Sequence, residues 1–264
     1  MPSRLGARTA LTLMLSAVTA LSTLLPHHAA AATTDHSLSA SIIDPVHSSA
    51  AQSALVAAAA PQACVADQFS RSVAQGWGNA AVGGAYTPAG SADQLSVDRS
   101  AGVMLMPTAG DGNAALLSTI ATQDADLAFR VKTDKHATGG GVYAYAVARR
   151  TSGGTQYQGQ LRFTAQGQVT VRVSRLVSGT ETALSPEATL PGVQHVPGGY
   201  VWLRMQTVGV NPTTIKLKAW TDGQPEPANW QHQVVDKEPQ LQQAGGVGVR
   251  AFLSSAANNV PVRA

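Results

Sequence analysis

The sequence contains one cysteine, Cys64, which excludes an intramolecular disulfide. The folded chain must therefore derive its stability from an apolar core. Charged residues make up only 12% of the 264 residues, about half of the usual share in globular proteins. No basic run is longer than Arg149-Arg150, which argues against a nucleic-acid partner because such proteins carry a clustered basic patch. Low charge with abundant Ala, Gly, Ser and Thr is typical of an extracellular β-protein.

The N-terminal segment has the three parts of a signal peptide. Arg4 and Arg8 precede an apolar run over Ala10–Leu25, Pro26 ends it, and four alanines close the segment at Ala32. The run is too short for the roughly 20 residues that span a bilayer. We therefore predict a cleaved signal peptide over residues 1–32, secretion of the mature protein, and no membrane association after cleavage. Residues 33–66 are rich in Ser, Ala and Thr and are predicted to be a low-complexity linker.

From Asp67 onward, apolar and polar residues alternate with a period of two, the pattern of half-buried strands. Gln168–Val177 is the clearest example, with Val169, Val171 and Val173 predicted to face inward. Gly and Pro interrupt these runs every 8–12 residues or so, as in sandwiches and barrels. The sequence predicts one all-β domain over residues 67–264, an antiparallel β-sandwich of the jelly-roll type with about a dozen strands in two sheets.

Short motifs along this region match a known family. They begin with Asp67-Gln68-Phe69-Ser70-Arg71, Gly76-Trp77-Gly78 and Gly83-Gly84-Ala85-Tyr86-Thr87, and continue through Thr138-Gly139-Gly140-Gly141, Glu226-Pro227-Ala228-Asn229-Trp230 and Gly245-Gly246-Val247-Gly248. The region resembles the concanavalin A-like lectin/glucanase, or laminin-G-like, jelly roll of secreted actinobacterial proteins, often found next to PKD modules. The resemblance implies the fold, whereas function varies within this superfamily among lectins, glycosidases and adhesion modules.

The C-terminal sequence departs from the pattern of this family. Such domains usually end on a strand with a Phe-Asp-Asp type sequence, whereas this sequence ends with Val260-Pro261-Val262-Arg263-Ala264. If this closing strand is absent, one sheet edge is left unpaired.

Signals for catalysis are weak. The glycosidases of this superfamily use paired carboxylates in a Glu-x-Asp-x-x-Glu motif, which is absent. Asp124 and Asp126 are the nearest substitute and are expected to form a solvated strand entrance. His136, His195 and His232 show no zinc-ligand spacing and are expected at the surface. We predict no catalytic residues and no certain cofactor. The resemblance implies a structural calcium ion, for which Asp67 is the candidate ligand by position.

Binding is the remaining chemistry, because sugars stack on aromatic rings and form hydrogen bonds with polar side chains. Several predicted strands present such residues opposite an apolar face. The candidate ligand-binding residues are Tyr143, Tyr145, Arg149, Gln158, Gln160, Arg162, Trp202, Arg204, Lys218 and Trp220. We predict a monomeric binding module for extracellular polysaccharide or cell-wall glycan. The alternatives are a structural or adhesion spacer from a larger surface protein and, less favoured, a divergent glycoside hydrolase.

Overall fold

The computed structural model describes residues 14–15 and 65–264. The predicted signal peptide, apart from Met14–Leu15, and the predicted linker, apart from Val65 and Ala66, lie outside the described residues, as does Cys64. These assignments therefore stay predictions. Within the described part of the chain, no helix combines the length and the hydropathy needed to cross a membrane.

Strands dominate the described residues, and the helical content is two short 3₁₀ turns, Ala92–Gln94 and Pro239–Leu241. The strands are β1 (Met14–Leu15), β2 (Ser72–Val73), β3 (Thr87–Pro88), β4 (Leu95–Asp98), β5 (Gly102–Met106), β6 (Gly112–Thr122), β7 (Ala125–Val131), β8 (Val142–Arg150), β9 (Gln156–Phe163), β10 (Gln168–Val177), β11 (Thr180–Ala183), β12 (Ala188–Gln194), β13 (Val201–Val208), β14 (Thr213–Thr221), β15 (His232–Asp236), β16 (Gly245–Leu253) and β17 (Val262–Arg263).

The strands form three antiparallel sheets. Sheet I has the order β11-β10-β9-β8-β16-β6-β3, with β12 as a further partner of β10; sheet II has the order β1-β7-β13-β14-β15; sheet III has the order β17-β5-β4-β2. The all-β antiparallel sandwich is thus confirmed, but the described residues form three sheets where two were expected. The third sheet joins strands from the start of the domain to β17 at its end.

Strand β12 was not expected from the sequence because it contains Pro191 and Gly192. Proline cannot donate a hydrogen bond to a neighbouring strand, so its presence argues against a central position in a sheet. The structure resolves this conflict, since β12 pairs with β10 alone and the register shifts within the pairing.

The core lies between sheets I and II. Val169, Val171 and Val173 of β10 are fully buried, as predicted. Sheet II contributes larger side chains, Leu203, Met205, Ile215 and Leu217, all fully buried as well. Strand β8 faces them with small side chains, Ala144, Ala146 and Ala148. Strand β9 of sheet I adds Tyr157, Leu161 and Phe163, which are also fully buried, so both sheets supply the bulk of the core and β8 leaves room for it.

The closest approach occurs at Gly159 of β9. A Cβ atom at this position would lie 2.5 Å from Leu217 Cδ1 and 2.8 Å from Met205 Sδ. Non-bonded carbon atoms prefer separations of about 3.5–4.0 Å. Gly159 is therefore required by the spacing of the two sheets and not by a turn.

His195 is the exception to the expectation of surface histidines. Its side chain is buried, its Nε2 lies 2.6 Å from Thr133 Oγ1, and its ring stacks on Phe163 at a centroid distance of 4.2 Å. Burial, aided by the nearby His136, lowers the pKa of His195 from 6.5 to about 4. The expectation failed because His195 follows the edge strand β12, which the sequence pattern did not reveal.

Replacing Gly159 with alanine should lower the free energy of unfolding by about 1–3 kcal/mol, because the added methyl group overpacks a closely packed interface. Chemical denaturation of the purified protein measures this change. Gly153→Ala is the matched control, since a Cβ at Gly153 meets nothing within 4 Å, and it should change stability by less than about 0.5 kcal/mol. Equal effects of the two substitutions would contradict the proposed spacing constraint.

Acid should destabilise the protein through His195. The unfolded chain takes up a proton on this residue near pH 6.5, whereas the folded chain resists protonation down to about pH 4. The stabilising contribution is therefore full above pH 6.5 and is lost as the pH falls toward 4, by up to roughly 3 kcal/mol. Denaturation curves between pH 4 and pH 7 should show a shallower pH dependence for His195→Gln. An unchanged slope would refute the assignment.

Candidate functional site

The predicted binding residues fall into two groups on opposite sides of the sandwich. Tyr143, Tyr145, Gln158, Gln160 and Arg162 share the side of sheet I that faces away from sheet II, which we call the sheet I face. Trp202, Arg204, Lys218 and Trp220 share the outer side of sheet II, which we call the sheet II face. The candidate ligand-binding residues of the two sheets therefore form two separate surfaces.

Direct cross-strand pairing builds the sheet I face. Tyr143 lies opposite Arg162, and Tyr145 lies opposite Gln160. The two tyrosine rings are nearly parallel, at 9° and a centroid distance of 6.2 Å. Tyr145 is buried, which raises its pKa to about 12 against the opposing effect of Arg250. Strand β8 can place both rings here because residues two apart share a face, while its alanines turn to the core.

Neighbouring strands add residues that sequence reasoning missed. Arg172 of β10 lies opposite Gln160, and Arg250 and Phe252 of β16 lie opposite Tyr145 and Tyr143. The Arg250 guanidinium lies 4.8 Å from the centroid of the Tyr145 ring and 5.4 Å from that of Phe252. Alternation within each strand indicates which residues share a strand face. Only the strand order β10-β9-β8-β16 shows that these strand faces form one continuous surface.

Three glutamines of β9, Gln156, Gln158 and Gln160, lie beneath these arginines and are at most 2% exposed. Gln160 Oε1 accepts a hydrogen bond from Arg172 at 3.1 Å, and Gln156 Oε1 accepts one from Arg150. Gln158 forms no hydrogen bond with any described residue. The Gln158 amide is not among the fully buried polar atoms that lack a partner, so it keeps contact with solvent and is available to a ligand.

Four arginines reach the sheet I face, and they differ in their partners. Arg162 donates to Gly140 O at 2.7 Å and to Glu187 at 3.2 Å, and Arg172 donates to Glu181 at 3.1 Å. Arg150 and Arg250 form no ion pair with any carboxylate of the described residues. Burial, and next to it the charge of Arg250, lower the pKa of Arg150. The two unpaired guanidinium groups therefore influence each other.

Most polar groups of the sheet II face have partners within it, although Lys216 forms no ion pair with the described residues. Trp202 and Trp220 stack at 5.7 Å, and Trp202 Nε1 donates to Asp222 at 2.7 Å. Arg204 is held by Asp126 and by Glu226, each at 2.6 Å, and these partners raise the pKa of Arg204. Hydrogen bonding to Arg204 therefore explains why Asp126 is buried where a solvated strand entrance was expected.

The loop after β14 further covers the sheet II face. Lys218 Nζ lies 2.6 Å from Glu226 and donates to Pro227 O at 2.8 Å. The same ammonium lies 4.4 Å from the centroid of the Trp230 ring. Charges and rings here are committed to one another, so this cluster needs no ligand to satisfy it.

Arg149 lies between the sheets and not on the sheet I face. Its backbone has a φ of 52°, which breaks the alternation of β8 and turns the side chain inward. The guanidinium is buried and donates to Gly209 O and Thr213 Oγ1 at 2.6 Å, Gln123 O at 2.7 Å and Leu241 O at 2.8 Å. Burial lowers the pKa of Arg149, against the attraction of Tyr157 and Asp124. Its contacts tie β8 to the ends of sheet II.

Asp67, the candidate calcium ligand, is fully buried near the start of the domain. Its oxygens accept hydrogen bonds from Arg71 at 2.8 and 2.9 Å and from the Phe69 backbone N–H at 3.0 Å. Among the described residues, no group of three metal-ligating His, Cys, Asp or Glu side chains occurs. Structural calcium at Asp67 stays a prediction, and the observed role of the carboxylate is to hold the N-terminal segment through Arg71.

A cavity of about 420 Å³ lies beside sheet III. Its walls are mainly apolar, come from all three sheets and include Val103, Phe129, Ala144 and Val249. Six charged residues also line it: Asp98, Arg130, Lys132, Asp134, Arg250 and Arg263. Sugar hydroxyls buried against such walls would lose their hydrogen bonds with water at a cost of about 1–3 kcal/mol each. The cavity is therefore a poor site for a glycan.

Replacing Arg149 with leucine should lower the free energy of unfolding by about 3–5 kcal/mol, because several buried backbone carbonyls would lose their donor. Arg150→Leu is the neighbouring control. Arg150 is half-buried and hydrogen-bonds one side chain, so its replacement should cost about 1 kcal/mol or less. Urea denaturation followed by circular dichroism compares the two. A larger loss for Arg150→Leu would contradict the inward position of Arg149.

Comparisons with known proteins provide fold neighbours and no family. No family model matches the chain, and no curated protein matches it. Among solved structures, it is similar to a Bacillus licheniformis β-glucanase (14% identity, TM-score 0.43, 66% of this chain and 79% of that chain). It is also similar to a marine alginate lyase from Aplysia kurodai (12%, 0.44, 67% and 86%) and to the carbohydrate recognition domain of Emp46p (11%, 0.44, 67% and 84%). Likenesses at this level assign the chain to none of these families.

Proposed function

We propose that this protein is a secreted carbohydrate-binding module and that the sheet I face is its glycan site. The observation that carries the proposal is that two parallel tyrosine rings lie next to a row of glutamines and arginines on this face. Among the glutamines, Gln158 has no hydrogen-bond partner in the described residues. Secretion rests on the predicted signal peptide.

The chemistry of this face suits a sugar. The C–H faces of a pyranose pack on aromatic rings, and its hydroxyls need donors and acceptors at fixed positions. Tyr143 and Phe252 are partly exposed and supply apolar contact. The Gln158 amide can both donate and accept, which matches a hydroxyl group. Such a partner would take the place of solvent at this amide, which has no hydrogen-bond partner among the described residues.

The sheet II face supports the proposal by contrast. Both faces present aromatic rings and cations. On sheet II, Arg204 and Lys218 have carboxylate partners and the indole of Trp202 donates to Asp222, whereas Lys216 forms no ion pair with the described residues. Polar groups that are satisfied internally gain little from a ligand. The glycan site is therefore assigned to sheet I.

Two alternatives make different demands on the same surface. A glycosidase would need two carboxylates facing each other across the bound sugar, whereas Glu181 and Glu187 are each paired with an arginine at the edge of the face. A structural spacer would need no ligand on this face. The grouping of partly exposed rings with an amide that has no partner among the described residues favours binding over the spacer role.

Binding of the purified protein to a panel of insoluble and soluble polysaccharides tests the proposal. Tyr143→Ala should weaken binding to the recognised glycan by about fivefold or more, because stacking contacts of this kind are worth about 1 kcal/mol or more. Trp202→Ala is the control on the sheet II face and should leave affinity unchanged.

Gln158→Met separates a binding role from a structural one. Methionine has a similar shape without the buried amide, so thermal stability should be equal or higher. Glycan affinity should nevertheless fall about tenfold. Failure of the folded protein to bind any member of the panel would favour the spacer role, and loss of binding in Trp202→Ala alone would move the site to sheet II.

A further inference from the structure

The sheet I face has an excess of positive charge that its own residues do not neutralise. Four guanidinium groups reach it, from Arg150, Arg162, Arg172 and Arg250, and two carboxylates, from Glu181 and Glu187, pair with Arg162 and Arg172. The face therefore carries a net charge of +2. The whole chain carries +3 over 264 residues, so this local excess is not an average property of the surface.

The two unpaired cations are partly removed from water. Arg150 and Arg250 are each half-buried. Arg250 lies against the rings of Tyr145 and Phe252, and Arg150 hydrogen-bonds Gln156. A cation in such a place is less well solvated than one on an exposed loop, and a nearby like charge makes it less favourable. An anion placed here would therefore be attracted more strongly than at an exposed arginine.

We propose that the glycan bound at the sheet I face is anionic, with carboxylate or sulfate groups that pair with Arg150 and Arg250. This inference rests on the proposed glycan-binding function and adds the ligand's charge. Guanidinium groups suit this partner because their planar arrangement of N–H donors matches the oxygens of a carboxylate or sulfate. The tyrosines and glutamines next to them would contact the neutral parts of the same sugar units.

The glutamates at the edge of the face oppose an anionic ligand. Glu187 pairs with Arg162 and accepts a hydrogen bond from Thr170, and Glu181 pairs with Arg172. Both pairs are substantially exposed, and pairs of this kind contribute little to stability. Loss of the Glu187 carboxylate should therefore free Arg162 for the ligand at little structural cost. This substitution should increase affinity for the anionic glycan, whereas loss of an arginine should reduce it.

The test compares glycans that share a backbone and differ in charge. Polygalacturonate is compared with its methyl ester, carboxymethylcellulose with hydroxyethylcellulose, and dextran sulfate with dextran. Polyglutamate serves as a polyanion without sugar. We expect at least tenfold tighter binding to one or more charged glycans than to the neutral partner. The preference should weaken as salt rises from 50 to 500 mM, and polyglutamate should bind weakly. The carboxylated and sulfated pairs show which group is recognised.

Charge-removing variants locate the effect. Arg250→Gln and Arg150→Gln should each reduce affinity for the charged glycan about tenfold, and Glu187→Gln should increase it about threefold. Arg263→Gln removes the same charge from sheet III, where the side chain is 60% exposed, and should change affinity less than twofold. Circular dichroism and melting curves of all variants exclude a general loss of fold.

Each outcome decides one level of the proposal. Equal affinity for charged and neutral partners, with loss of binding in Tyr143→Ala, would overturn the anionic ligand and keep the glycan-binding function. Equal binding to polyglutamate, or an equal effect of Arg263→Gln, would overturn it as well by showing general ion exchange. No binding to any glycan by the folded protein would overturn both the function and its refinement.

Discussion

The spacing of sheets I and II at Gly159 is the constraint on which the rest of the structure depends. With Leu217 and Met205 filling the space above this glycine, no side chain fits at this point of sheet I, although Tyr157 and Leu161 lie on either side of it on the same strand face. Strand β8 places Ala144, Ala146 and Ala148 on the same inner side, with Ala146 directly opposite Gly159. Its large residues, Tyr143 and Tyr145, are thereby placed on the opposite side. The packing of the core and the composition of the sheet I face are two consequences of the same alternation.

Internal satisfaction of polar groups distinguishes the two outer surfaces. On sheet II, Arg204 and Lys218 share Glu226, and Asp126 completes the cluster. On sheet I, Gln158 has no partner among the described residues, and Arg150 and Arg250 have no carboxylate there. Unsatisfied polar groups and unpaired charges reduce stability, so a surface that keeps several of them together is more readily explained by a ligand than by folding.

The sequence predicts the strands well because alternation and turn residues are local properties. The expected run at Gln168–Val177 coincides with β10. Pairing order is not local, and this explains the main differences. Tyr143 and Trp202 each lie on a strand face that is polar and aromatic, but only the assembled sheets show that these faces point in opposite directions. The inward turn of Arg149 depends on a single backbone angle, which alternation does not predict.

Nuclear magnetic resonance of the side-chain N–H groups would test the central claim most directly, because the Gln158 amide, the Arg250 Nε–H and the Trp202 indole each give a separate signal. During titration with an oligogalacturonate, the signals of Gln158 and Arg250 should shift in a saturable way. The Trp202 signal, whose N–H is held by Asp222, should stay in place. A saturable shift of Trp202 with no change at Gln158 and Arg250 would contradict the account and place the binding surface on sheet II.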